Sequence, residues 1–359
     1  MGTLPQSALN INLLGPSAYD PQSRIIYFAG INSIIGIDGS TNTLISTTNT
    51  GQNISSMTFD TSNGLLYYVT QSNNTLYQFN PQSGSYDPTG FNATSILYDS
   101  VGNELFAGQP VPISFAYPLN ETFFVINPSN GSVVANFSVP LGAFGYVNQM
   151  AYDPIHDYIF AMVSGGSADG EPLYFSYVVN AATLQVIASL PSGSVSFTYD
   201  AMNGYTFVAN DGYLYKNCIP YCADSAALIA GNNVSVYNGT KEINALTVNP
   251  SPNSTIGSVS FDPANGNLYV INSSVSIARD SQGAPTNIMF SNYTLCAINA
   301  SNGSLTRLAN LAISSYPNYE TPTFIMVDPA DQNSLYIATS GALYFVNIGN
   351  SSSTTSSSS

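Results

Sequence analysis

Seven times along the chain an aromatic or apolar residue is followed by aspartate and then, five or more residues later, by an apolar run. The clearest copy is Val259-Ser-Phe-Asp-Pro-Ala-Asn-Gly-Asn-Leu-Tyr-Val-Ile-Asn272. Phe261 ends one short strand, and Asp262-Pro263 opens a turn, because proline pre-sets φ near about −65° and aspartate hydrogen-bonds its own backbone. Asn265-Gly266 supply positions that tolerate positive φ. Leu268 to Ile271, rich in β-branched and aromatic residues, form a second strand.

The other copies are Tyr19-Asp20 with Ile25 to Phe28, Phe59-Asp60 with Leu65 to Val69, and Tyr98-Asp99 with Leu105 to Ala107. They continue with Tyr152-Asp153 and Tyr158 to Ala161, Tyr199-Asp200 and Tyr205 to Val208, and Val327-Asp328 and Leu335 to Ile337. The aspartates are separated by 40, 39, 54, 47, 62 and 66 residues. Short strands repeating every 40 to 50 residues or so, with no helical pattern, predict an all-β, seven-bladed β-propeller of four-stranded antiparallel blades. A β-sandwich with recurrent Asp-Pro turns is the alternative. Residues 1–349 read as one domain, with the strand at residues 8–14 expected to close the ring as the outer strand of the last blade, 323–348. The Ser/Thr-rich run 350–359 cannot bury apolar surface and reads as a flexible tail or linker.

Asp262 to Asn272 and Leu66-Tyr67-Tyr68-Val69-Thr70 resemble the YVTN-type β-propellers, seven-bladed repeats typical of secreted and archaeal surface proteins. The resemblance covers residues from about 8 to 349. It implies the architecture and says little about function. Ser100-Val101 replaces the Asp-Pro continuation in the third copy, and Ile155-His156-Asp157 stands where Asn-Gly is expected in the fourth.

Only 7% of the residues are charged, and the net charge is −15. The five cations are Arg24, Lys216, Lys241, Arg279 and Arg307. Such a surface repels phosphate backbones, so no nucleic-acid partner is expected, although some YVTN-type propellers bind DNA. A hydroxyl- and amide-rich surface suits an acidic exterior, since below about pH 3 most carboxylates are protonated. Dense glycosylation at neutral pH is the other explanation. The expected location is extracellular or cell-surface, in an acidophilic archaeon or its virus.

Sequons agree with that location: Asn53, Asn73, Asn92, Asn120, Asn130, Asn136, Asn233, Asn238, Asn253, Asn272, Asn292, Asn299, Asn302 and Asn350 are candidate acceptors. Asn130 and Asn302, in Asn-Gly-Ser turns, are expected to be the most exposed. Cys218 and Cys222 bracket a loop where a short disulfide is expected, and Cys296 in an apolar run reads as a small buried hydrophobe. Zinc is not expected, because the chain has one histidine, His156. No apolar stretch is long enough to span a membrane, so an anchor is expected only beyond the tail. Met1-Gly2-Thr3 is not a signal peptide, and a removed leader is the expectation.

Strands that meander outward alternate in direction. We label them A to D from the hub, so A–B and C–D turns share one face and B–C and D–A loops the other. The long segments all fall on the second face: Gly108–Glu121, Pro140–Val147, Asp211–Asn232, Asn249–Ile256, Ser273–Asn292 and Ile313–Thr321. Binding residues concentrate on long loops over a rigid scaffold. The candidates are Phe115, Tyr117, Phe144, Tyr146, Tyr213, Tyr215, Tyr221, Tyr316 and Tyr319, since tyrosine offers contact area at small entropic cost.

No catalytic constellation emerges. The seven aspartates, Asp20, Asp60, Asp99, Asp153, Asp200, Asp262 and Asp328, read as turn caps rather than a cation site. No Gly-x-Ser-x-Gly elbow is present, His156 lies in an A–B turn, and the absence of tryptophan argues against sialidase-type boxes. Loop carboxylates (Asp169, Glu171, Asp211, Asp224, Asp280 and Glu320) leave glycosidase-type chemistry open without recommending it. Asp169-Gly-Glu171 and Asn210-Asp-Gly212 are incomplete calcium loops. The expectation is a non-catalytic recognition or scaffold propeller without cofactor or metal, binding a surface protein, a glycan or copies of itself. An extracellular hydrolase or lactonase is the alternative.

Overall fold

In the structure, a computed structural model, the described residues are 6–9, 13–110, 119–141, 143–166, 172–190, 194–210, 233–248, 254–279, 281, 285–311, 322–328, 334–339 and 342–348. They form seven four-stranded antiparallel sheets in sequence order around an axis, an all-β seven-bladed propeller. From hub to rim, blade one holds Leu13–Asp20, Ile25–Gly30, Ser33–Asp38 and Thr43–Asn49. Blade two holds Ile54–Asp60, Leu65–Thr70, Thr75–Phe79 and Tyr86–Asn92. Blade three follows with Ser95–Asp99, Glu104–Gly108, Leu119–Asn127 and Ser132–Leu141. In blade four the strands are Ala143–Asp153, Tyr158–Gly166, Pro172–Asn180 and Gln185–Leu190. Those of blade five are Ser194–Asp200, Tyr205–Asn210, Asn233–Asn238 and Lys241–Thr247. Blade six has Ser254–Asp262, Asn267–Arg279, Pro285–Asn299 and Leu305–Asn310. Blade seven combines Pro322–Val327, Ser334–Thr339 and Leu343–Asn347 with Gln6–Leu9 from the other end of the described chain. No helix among the described residues is long and apolar enough to cross a membrane.

The closing strand differs from the sequence reading. It is Gln6–Leu9, with Leu9 opposite Leu343 and Gln6 opposite Val346, not residues 8–14. Leu13 already belongs to the inner strand of blade one, where it packs with Ile26, Phe28, Tyr336 and Leu343. The apolar alternation Leu9, Ile11, Leu13 runs through both strands, so periodicity by itself does not mark the break.

Two further segments expected as loops are strand. Leu119 pairs with Leu141, so Pro140 extends the rim of blade three, and Ala143–Val147 opens the inner strand of blade four. In blade six Ser274 pairs with Ser291 and Arg279 with Pro285, so the expected loop Ser273–Asn292 is largely a hairpin. Serine, asparagine and glycine there suggest turns, but Val275 and Ile277 alternate with serine at strand period.

No single core exists. Among the described residues the buried apolar side chains fall into seven clusters, one between each pair of neighbouring blades. The one between blades one and two joins Tyr27 and Ala29 to Met57, Phe59, Leu66 and Tyr68. A second strand is therefore covered on both faces, and Leu65–Thr70 is buried at every position but the first.

The turn geometry explains the recurring aspartate. Asp60 Oδ1 accepts the Ser62 N–H at 2.8 Å, Asp99 Oδ1 that of Val101 at 2.7 Å, Asp200 Oδ1 that of Met202 at 2.9 Å, and Asp262 Oδ1 that of Ala264 at 2.9 Å. Four positions after the aspartate the chain turns left-handed in all six described A–B turns, at Arg24, Gly64, Asn103, Asp157, Gly204 and Gly266, with φ between 54° and 72°. Glycine and asparagine tolerate that region, which is why Asn-Gly recurs; Asp157 holds the same conformation in the aberrant fourth copy.

Candidate functional site

A channel of about 680 Å³ runs along the axis. Its walls are inner-strand residues, among them Ser17, Ser56, Thr58, Gln149, Ser196 and Ser258 with Met57, Met150 and Phe324, joined by Met162 from the second strand of blade four. No carboxylate, histidine, cysteine, lysine or arginine lines it among the described residues. The hydroxyls have structural work at the hub. Ser56 Oγ accepts the Ile96 N–H at 3.1 Å, Thr58 Oγ1 that of Tyr98 at 3.2 Å, Thr198 Oγ1 that of Phe261 at 3.2 Å, and Ser260 Oγ that of Val327 at 2.8 Å. Inner strands of neighbouring blades splay apart, so a side-chain hydroxyl spans the gap and satisfies a backbone donor. Hydroxyls two and four residues before the aspartate are the sequence signal for this role.

At the loop end of the ring the strands of blades three, four and six run longest. In blade six the hairpin from Ser274 to Ser291 continues the sheet by six paired positions, roughly 20 Å at about 3.3 Å per residue. The strand ends flanking residues 111–118, 167–171, 211–232 and 312–321 are B–C or D–A junctions, on this same face.

Phe144 and Tyr146 lie in the inner strand of blade four rather than in a loop. Phe115, Tyr117, Tyr213, Tyr215, Tyr221, Tyr316 and Tyr319 fall outside the described residues, as do Cys218 and Cys222. Of the sequons, Asn73, Asn92, Asn120, Asn130, Asn136, Asn238, Asn292 and Asn302 are exposed, and Asn53, Asn233 and Asn299 are half-buried. Asn272 is buried in blade six, a position no glycosyltransferase reaches in the folded chain. Asn253 and Asn350 fall outside the described residues.

Among the described residues the histidine and the cysteine each have a structural setting. His156 Nδ1 lies 2.7 Å from Asp153 Oδ2, and its ring stacks on Tyr158, so it completes a turn cap. Cys296 is buried between blades five and six, and burial pushes its thiol up to about 11. Among the described residues no group of three or more His, Cys, Asp or Glu side chains is placed to hold a metal ion.

Nothing in the sequence singles out Glu121. Fully buried in the third strand of blade three, it accepts the Thr94 hydroxyl at 2.5 Å and the Val147 N–H of blade four at 2.5 Å. Desolvation pushes its carboxyl up to about 7, opposed by those two hydrogen bonds. A glutamate in the sequon Asn120-Glu-Thr looks like a surface residue, and no local pattern marks it as buried.

No family model matches the chain, and no curated protein matches its sequence. Its fold is similar to that of many solved structures. A chain in the crystal structure of the mitotic checkpoint complex aligns with a TM-score of 0.64 at 9% identity, over 97% of this chain and 93% of that one. The Cps50 (Swd1) β-propeller domain of Myceliophteria thermophila aligns with a TM-score of 0.60 at 11% identity, over 96% and 99%. Hydrazine synthase of Kuenenia stuttgartiensis gives a TM-score of 0.60 at 12% identity, over 97% and 100%. At such identities the likeness is one of fold: this chain is a seven-bladed β-propeller.

Proposed function

We propose that this chain is a non-catalytic recognition or scaffold module of the YVTN propeller type, extracellular or at a cell surface. It binds a surface protein, a glycan or copies of itself through the loop face of blades three to six. The observation behind this reading is the asymmetry of the two faces. Described turns on one face are tight and capped, while the other bears the extended hairpins and the insertion points of the long segments. A rigid ring with elaboration on one face is how scaffolds present binding residues. Among the described residues the channel presents no carboxylate pair of the kind glycosidase chemistry needs, and the loop carboxylates Asp169, Glu171, Asp211, Asp224, Asp280 and Glu320 fall outside the described residues. Sequon density and low charge support the exterior, acidic setting. Pull-down of envelope proteins and glycans by the folded domain, repeated after deleting 211–232, tests the reading. The expected result is a retained envelope component lost on deletion; retention of nothing, or hydrolysis of an ester, lactone or glycoside substrate at the loop face, would overturn it.

A further inference from the structure

The opposite, turn face holds an apolar feature that the fold does not require. The three most exposed large hydrophobic side chains among the described residues are Met202 at 75%, Val101 at 64% and Ile155 at 55%. All three occupy the same place, two residues after the turn aspartate, in consecutive blades three, four and five. In blades one, two and six that place is held by Gln22, Ser62 and Ala264. The three turns adjoin. A methyl group built on Gly204 would meet Ile155 at 3.4 Å, and Val101 shares the wall of a groove with Leu184 of blade four. Isolated exposed apolar residues are ordinary, but an arc at equivalent positions of adjacent blades marks an interaction surface.

The groove beside the arc settles the partner's chemistry. It encloses about 350 Å³ between blades three and four, with aliphatic walls that include Val101, Val134 and Leu184. Asp99, Glu104 and Asp157 also line it. Asp99 and Asp157 add to desolvation in raising the proton affinity of Glu104, a sign of crowded negative charge. No described lysine or arginine lines the groove. The carboxylates are not placed to hold a metal ion. A second copy is a poor occupant, because the chain carries a net charge of −15 and five cations in all.

We propose that the turn face of blades three to five is a second docking surface, for a protein segment in which a lysine or arginine is flanked by aliphatic side chains. The aliphatic stem and cationic head of such a residue match apolar walls with carboxylates. Its neighbours cover Val101, Ile155 and Met202. This surface is independent of the loop face.

The test uses the full chain labelled at the methionine methyl groups, and fluorescent dodecapeptides of alternating Leu-Arg, Ser-Arg and Leu-Glu. Expected are saturable binding of the Leu-Arg peptide with a shift of the Met202 methyl resonance, and at least tenfold weaker binding of both other peptides. Glu104→Gln with Asp157→Asn, and separately Met202→Ser with Val101→Ser, should each weaken binding tenfold or more, while deletion of 211–232 leaves it unchanged. Met202 and Val101 are solvent-facing, so the second pair should fold normally. Equal binding of Ser-Arg, an unmoved Met202 methyl, loss of binding on deleting 211–232, or a dimer that buries Met202 would each overturn the proposal.

Discussion

The Tyr336 hydroxyl of blade seven donates to Asp328 Oδ2 at 2.7 Å and also touches the Asn42 side chain, in the turn between the third and outer strands of blade one. The ring is thus tied at its seam by a buried polar contact as well as by the Gln6–Leu9 strand. Asp328 is fully buried, so losing the Tyr336 donor removes a hydrogen bond from a carboxylate that water does not reach. Tyr336→Phe should lower stability by about 1–3 kcal/mol, seen as a shifted urea midpoint with an unchanged slope. A midpoint equal to that of the parent would remove the seam role.

The left-handed turn position supplies its own controls. Gly266 has φ +69°, and a methyl group built there meets nothing within 4 Å, so backbone conformation alone sets the cost of a side chain. Gly266→Val should cost about 1–2 kcal/mol, whereas Gly266→Asn should be nearly neutral, because Asn103 holds the equivalent place at φ 54°. Equal losses in thermal unfolding for the two variants would show that conformation is not what glycine provides.

Glu121 predicts a pH dependence with a defined sign. Its folded-state carboxyl binds a proton more tightly than the unfolded chain does, at about 7 against an ordinary 4.5. Below pH 4.5 both states are protonated and no penalty exists. As pH rises from there to about 7 the unfolded state ionises first and stability falls. Above that range a penalty on the order of 3 kcal/mol persists. Glu121→Gln keeps an acceptor for Val147 and cannot ionise. Its stability relative to the parent should therefore grow by about that amount between acid and neutral pH, in denaturant titrations at several pH values. Parallel profiles would refute the assignment.

Burial predicts that Cys296 is inert. It is 1% exposed, and its thiol is raised to about 11, with Arg307 opposing the shift. A thiol reagent at pH 8 should leave it unlabelled in the native protein and label it after denaturation. With Cys218 and Cys222 paired as proposed, the denatured, unreduced chain should show one thiol and the reduced chain three. Three thiols before reduction would exclude that pairing.

The blade count was legible because a propeller repeats one local solution, an aspartate-capped turn between two strands, and local solutions leave local marks. Asp262, Pro263 and Gly266 announce their turn by identity. Loop against hairpin was less legible at Ser273–Asn292, since Ser and Asn suit either until cross-strand partners are known. The candidate site was legible only in outline. Strand parity separates the faces, but Phe144 and Tyr146 turned out to belong to a strand whose length depends on pairing with blade four's second strand.

Residue order alone determined the seven-fold repeat, the turn chemistry and the separation of long from short connections, because each depends on neighbours a few positions apart. Tertiary structure decided where the ring is sealed, which hydroxyls join inner strands, that Glu121 is buried and that Val101, Ile155 and Met202 form one arc. Those facts depend on residues from different blades meeting around an axis, and no stretch of sequence contains both partners.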